Sequence, residues 1–258
     1  MANKTQQIFE LSQEAARELS GVDNWTAFLR SAAWQYKYPF EDQLLIYAQR
    51  PDATACASLD TWNGKLKRWI NKGAKGIALL RENERGHYLD YVFDISDTNS
   101  FYGNEVKLWS YEDKYYEAVK ETLENYFDAF WYPPESISDV IVCTAQNIVL
   151  DNKADYLQEL QYAKENSFLE DYDDLNIDKI FQEIAEASVA YIVMVRAGLE
   201  PEDIFVSEDF EHIIDFNTPE TLSVLSNAVS DISEQALREI SDTIRKAERA
   251  EKISQKFL

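Results

Sequence analysis

Hydrophobic residues recur at helical spacing along most of this chain. Ile8, Leu11, Ala15 and Leu19 fall on one face of a helix predicted over 5–20, with Gly21 as its stop. A second helix is predicted from a cap at Asp23 or Asn24. In it Trp25, Phe28, Leu29, Ala32, Ala33 and Tyr36 recur at i, i+3, i+4, i+7, i+8 and i+11, until Pro39 breaks the pattern. A short helix over 40–49 ends at Arg50-Pro51-Asp52, because the residue before a proline is pushed out of the helical region.

The period then changes. Ser58 to Trp62 reads as a short helix or turn, and Gly64 to Gly76 has broken periodicity. Two β-like runs, 76–81 and 88–95, flank Asn83-Glu84-Arg85-Gly86, which reads as a hairpin loop. Helical spacing returns over 107–131, with Tyr115, Val119, Leu123, Phe127 and Phe130 in phase and Pro133-Pro134 as the stop. Helices are also predicted over 137–150 and, more weakly, 151–165, followed by an acidic loop over 165–174. The strongest core stripe is Ile177, Ile180, Phe181, Ile184, Val189, Ile192 and Val195, closed by Gly198 and Pro201. Thr218-Pro219 reads as a cap with proline at the first helical position, opening helices over 219–229 and 231–252, with a frayed tail from Ala247.

The predicted class is therefore α+β. N-terminal helices and a small antiparallel sheet (domain 1–100) precede an acidic all-helical domain (101–258), with the boundary in 97–108. There is no internal repeat. The length of 258 residues suits one large or two small domains, and 45% apolar content supplies a core. Mean hydropathy is −0.43, and no apolar run reaches the ~18 residues of a membrane span. The first twenty residues lack the apolar core of a signal peptide, so the expected location is cytoplasmic, with no membrane partner. Cys56 and Cys143 stand far apart without a CxxC, as reduced buried thiols do.

Charge divides the chain more sharply than hydropathy does. Residues 1–100 hold 12 basic and 13 acidic side chains, whereas residues 101–258 hold 13 and 34. Within the near-neutral part lies a basic island, with Lys65, Lys67, Arg68, Lys72, Lys75 and Arg81 and no acid between Asp60 and Glu82. Trp62 and Trp69 and three glycines are interleaved. Nucleic-acid backbones need cations along their path, backbone N–H groups that can approach phosphate, and aromatic faces for stacking. Lys72-Gly73-Ala74-Lys75-Gly76 offers two cations and two glycines, able to form a tight turn with outward N–H groups. The same stretch is also a good hairpin turn, and the tryptophans are also good core residues.

Nothing else reads as chemistry. His87 and His212, the only histidines, lie in no metal-binding motif and read as surface residues among acids. Glu183 and Glu186 share a helix face but suit a solvated surface better than a general acid/base pair. With no GxSxG, Walker loop or GxGxxG, no catalytic residue, metal or cofactor is expected, and the chain reads as a non-enzyme.

The order Gln43-Leu44-Leu45-Ile46-Tyr47, then Thr61-Trp62, then Trp69-Ile70-Asn71-Lys72-Gly73-Ala74-Lys75-Gly76-Ile77, then Tyr91-Val92-Phe93-Asp94-Ile95 resembles the N-terminal single-stranded-DNA-binding domain of ArdC-type antirestriction proteins. The likeness covers about residues 20–98. Ala185–Gly198 and Asn217–Thr243 resemble parts of large proteins on conjugative elements of Gram-positive gut bacteria. ArdC-type proteins place a zinc-peptidase-like domain after the DNA-binding one. This chain has no HExxH, so the resemblance implies a degenerate, metal-free domain at most.

The resemblance thus implies a sequence-nonspecific single-stranded-DNA-binding module of a mobile genetic element with an antirestriction role. Lys65, Lys67, Arg68, Lys72 and Lys75, with Gly73 and Gly76, are expected at phosphates. Trp62, Trp69 and Tyr47 are expected to stack on bases. The alternative is an acidic DNA mimic or interaction protein, whose charged half occupies a basic groove on a host defence nuclease.

Overall fold

Trp25, Phe28 and Leu29 are the residues on which the first helices close, each at most 2% exposed. The computed structural model describes residues 4–84, 86–100, 103 and 105–254, and the chain divides into two units, Met1–Lys107 and Leu108–Leu258. The first unit opens with α1 (Lys4–Glu18), α2 (Val22–Ala32) and α3 (Phe40–Gln49). Phe28 meets Trp25, Phe40 and Tyr47 at ring-centroid distances of 5.7, 5.8 and 5.8 Å, the last two edge-on. The helix predicted to reach residue 20 ends at Glu18, and Gly21, expected as its stop, has φ −99 and precedes α2 as its N-cap. The apolar stripe continues to Tyr36, but the helix stops at Ala32. There the buried Gln35 side chain donates to the carbonyl of Ala53 at 3.0 Å, and Gln43 donates to that of Tyr38 at 2.7 Å.

A three-stranded antiparallel sheet follows, in the order β1 (Cys56–Ser58), β4 (Gly86–Asp94), β3 (Ile77–Asn83). Ile77 pairs with Val92, and Asn83 with Gly86, so the hairpin strands run further than their periodicity showed. Arg85, in the expected loop, lies outside the described residues. The α3 side chains Leu45 and Ile46 pack with Ala53, Ile77, Leu79 and Val92 into one core. A second, two-stranded sheet joins β2 (Trp69–Ile70) to β5 (Thr98–Asn99). Strands β1, β2 and β5, of two or three residues each, are too short to carry a period.

The second unit is helical among its described residues: α4 (Tyr116–Tyr126), α5 (Ile137–Ala163), α6 (Asp174–Ala197) and α7 (Pro219–Ser254). Helices α5, α6 and α7 pack against one another, and α4 lies on α7. Of the residues from Ile184 to Ala197 only Glu186 escapes full burial, the signature of a helix at the centre of a bundle. Arg196 is buried with them because its guanidinium lies 3.8 Å from the Trp109 ring centroid and donates to the Trp109 carbonyl. Gly198 closes α6 at φ +83, with the Leu199 N–H reaching back to the Met194 carbonyl, as expected of a left-handed cap.

Further helix boundaries differ from the periodicity. The helix predicted over 107–131 is only α4, because Asn147 takes the Phe127 and Asp128 carbonyls at 2.7 and 3.2 Å and holds Asp128 at φ +67. The two helices predicted over 137–165 are one, as are those over 219–252, since no glycine or proline interrupts either. The tail expected to fray from Ala247 stays helical to Ser254. No helix among the described residues is long and apolar enough to cross a membrane.

Candidate nucleic-acid interface

The island begins in a wide π-type turn, Thr61–Lys65, packed against β1 and β2. Trp62 is the large residue at its inner side. It is 1% exposed, and its indole N–H donates to the Phe93 carbonyl at 2.8 Å. No base can stack on it, so the expected stacking role is corrected: Trp62 ties the turn to β4. Tyr47 is half-buried on α3, its ring edge-on against Phe28, and burial raises its phenol. Trp69 is half-buried in β2, opposite Asn99, and so keeps part of its surface accessible.

The cations separate by type. Arg68 donates through Nε to the Thr98 hydroxyl at 2.7 Å and through Nη2 to the Thr98 carbonyl at 3.1 Å, clamping β2 to β5. Arg81 forms a two-pronged pair with Asp42 at 2.6 and 2.8 Å, and this hydrogen bonding raises the guanidinium further. Asp42 is only 4% exposed. Both arginines therefore hold the fold, and Arg68, expected at phosphate, is half-buried with its Nε and Nη2 committed to Thr98. Lys65, Lys67, Lys72 and Lys75 are all exposed, and none has an ion-pair partner among the described residues. Two precede β2 and two follow it.

The backbone explains why these lysines are held outward. Arg68 N–H reaches the Trp62 carbonyl and Leu66 N–H that of Thr61, which forces Lys67 to φ +55. After β2, the Ala74 N–H donates to the Asn71 carbonyl at 3.0 Å with Gly73 at φ +89, a turn that needs positive φ at its third position. Gly73 is there for its backbone angle, since a Cβ would meet nothing within 4 Å. Gly76 is there for space: a Cβ would come within 3.0 Å of the Phe93 ring and 3.2 Å of Tyr91.

At the end of β4 lies a polar anchor that sequence reading missed. Asp94, 2% exposed, accepts from the N–H groups of Thr54 and Ala55 at 2.8 and 2.9 Å and from Ser96. Burial by itself would raise its carboxyl, but these hydrogen bonds outweigh burial and hold it below the ordinary carboxylate range. Arg50 joins in, pairing with Asp97 and donating to Ser96 at 2.7 Å. The only signal in the sequence is Asp94-Ile95-Ser96, a weak Asx-turn pattern.

The remaining candidates are ordinary or isolated. Both cysteines are free; Cys56 is half-buried rather than buried, and burial pushes its thiol up to about 12, far from a reactive thiolate. His87 is exposed on β4. His212 is half-exposed, with Nδ1 2.9 Å from Asp215. Among the described residues no grouping of His, Cys, Asp or Glu could hold a metal, so the zinc of a peptidase-like domain finds no ligand set there. No protein-family model matches the chain, and no curated protein or solved structure is significantly similar to it.

Proposed function

We propose that the first unit is a sequence-nonspecific module for single-stranded DNA, belonging to an antirestriction protein of a mobile element and acting by binding rather than catalysis. One observation carries the DNA-binding part. Arg50, Arg68 and Arg81 are committed to internal hydrogen bonds, while Lys65, Lys67, Lys72 and Lys75 stand exposed around one short strand, with no ion-pair partner among the described residues. Flexible lysines presented from two turns can follow a backbone of variable shape, and half-buried Trp69 between them offers a base platform. The antirestriction role rests on the resemblance to ArdC-type domains alone, a weaker warrant than site chemistry.

Anisotropy of a labelled oligonucleotide across a salt series tests the reading. Four phosphate contacts on a single strand give a log–log slope near −3, at about −0.7 per contact. The Lys72→Glu/Lys75→Glu variant should abolish binding at low salt. Unchanged binding in that variant, or none in the unaltered chain, sinks the proposal.

A second reading rests on the other unit. Residues 108–258 hold 33 acidic and 12 basic side chains, an excess suited to a basic groove on a host defence protein. Capture of a nuclease by this chain, released by competing DNA, is the outcome that would favour it.

A further inference from the structure

A cleft of about 350 Å³ opens in the second unit between α5, α6 and the 3-10 segment Ser207–Asp215. Its floor is apolar, made by Val142, Ala187, Ala190 and Phe205. Its walls are anionic, with Glu183 and Glu186 of α6 and Glu208, Asp209 and Glu211 of the 3-10 segment. Among the described residues no lysine or arginine lines it. Lys153, the cation whose charge is felt at Glu186, is itself bound to Asp178 and Gln182 at 2.6 and 2.7 Å.

We propose that this cleft is a docking site for an arginine or lysine side chain carried on a basic segment of a partner protein. Such a side chain has an apolar stem and a charged head, and lays the stem on apolar surface while the head stays in a polar rim. Floor and walls match those two parts. A wholly apolar ligand would strip water from the carboxylates without replacing it. A nucleic acid would meet like charge. Carboxylates gathered around a low-dielectric concavity also focus their field into it. Glu186 reports that environment, since burial raises its carboxyl even though Gln182 donates to it at 2.6 Å. Two wall residues have partial partners. Asp209 accepts from the Val206 N–H at 2.8 Å, and Glu183 has an exposed pair with Lys179 at 3.6 Å. Glu208 and Glu211 are exposed and line the cleft. His212 stands at the same wall, turned by its contact with Asp215.

The inference deepens the acidic-partner reading and is independent of the lysine surface on the first unit. The probe is a fluorescein-labelled peptide of alternating arginine and serine, titrated against the full chain by anisotropy. Its citrulline counterpart has the same shape without the charge. The arginine peptide should bind and the citrulline peptide should not. Glu183→Gln/Glu186→Gln/Glu208→Gln should weaken binding by about tenfold or more, whereas Glu117→Gln/Glu121→Gln/Glu124→Gln on exposed α4 removes the same charge and should weaken it by less than about twofold. Val142→Lys, which tethers a cation over the floor, should match the cleft variant and provides a second test if the triple substitution disturbs folding, judged by circular dichroism. Equal weakening by the cleft and α4 variants overturns the cleft while leaving a general acidic surface in place. Absent binding of the arginine peptide, or equal binding of the citrulline peptide, overturns the docking site. Spermidine binding as tightly as the peptide would show a polyamine site instead and also overturn it.

Discussion

In the first unit, the chain turns repeatedly and each turn leaves polar groups that must be satisfied. Asp94 collects the N–H groups of Thr54 and Ala55, Arg68 holds Thr98, Gln35 reaches Ala53, and Arg81 pairs with Asp42. In the second unit, α6 satisfies its own backbone over 24 residues and is buried for most of its second half. The difference teaches where charge is free to act. Short strands and turns draw Arg50, Arg68 and Arg81 of the first unit inward as clamps and leave Lys65, Lys67, Lys72 and Lys75 outside. Long helices need few clamps, so the carboxylates of the second unit remain on the surface and around the cleft.

The largest expected effect tests the inward half of that contrast. Trp62→Ala removes a fully buried ring and its hydrogen bond to Phe93, and should cost about 3–5 kcal/mol in denaturant unfolding. Trp131→Ala in the second unit removes a ring that is 72% exposed with one bond to Asn147, and should cost about 1 kcal/mol. Similar losses at both positions would break the contrast.

Next comes the clamp. Arg81→Met leaves the buried carboxylate of Asp42 unpaired and should cost about 2–4 kcal/mol, discounted because Arg81 keeps a third of its exposure. Adding Asp42→Asn should recover part of that loss, and a double-mutant cycle measures the coupling.

A smaller effect follows from Asp94. Its folded carboxyl lies below the ordinary 3.8, so the stability it contributes is complete above that value and is lost as pH falls through the lowered folded one. Asp94→Asn should cost about 1–3 kcal/mol at neutral pH and flatten the acid limb of the stability curve of the first unit. An unchanged acid limb would show that Asp94 is not the anchor. The smallest effect on stability belongs to Lys72→Glu/Lys75→Glu, within about 0.5 kcal/mol, although DNA binding should disappear. That dissociation is what separates working lysines from structural arginines.

Much of the fold was legible in the residues. The stripes at 25–36 and 177–195, the hairpin and Gly198 each carry a local period or a backbone requirement. Helix ends were less legible where a distant side chain decided them, as Asn147 does for α4 and Gln35 with Ala53 beyond α2. The candidate site was legible as a basic island but not as a division of labour within it. Trp62 and Trp69 look alike in the sequence, yet one turns under β4 and the other stays half-buried in β2. Arg68 and Lys67 are neighbours, yet the partner that occupies Arg68, Thr98, lies thirty positions away.

The sequence by itself determined the α+β class, the segregation of charge and the presence of six cations in one short stretch. Periodicity and composition are local properties, and a helix stripe or a charge excess survives whatever the chain later packs against. Only the tertiary structure decided which of those cations are available. Each arginine's role depends on whether a buried acceptor, Asp42 or Thr98, lies within hydrogen-bond reach, and that distance exists only once α3 has packed on β3 and β2 has paired with β5. The cleft has the same origin. Its floor and two acidic walls come from α5, α6 and the 3-10 segment, and no local pattern in any one of them records the concavity they enclose.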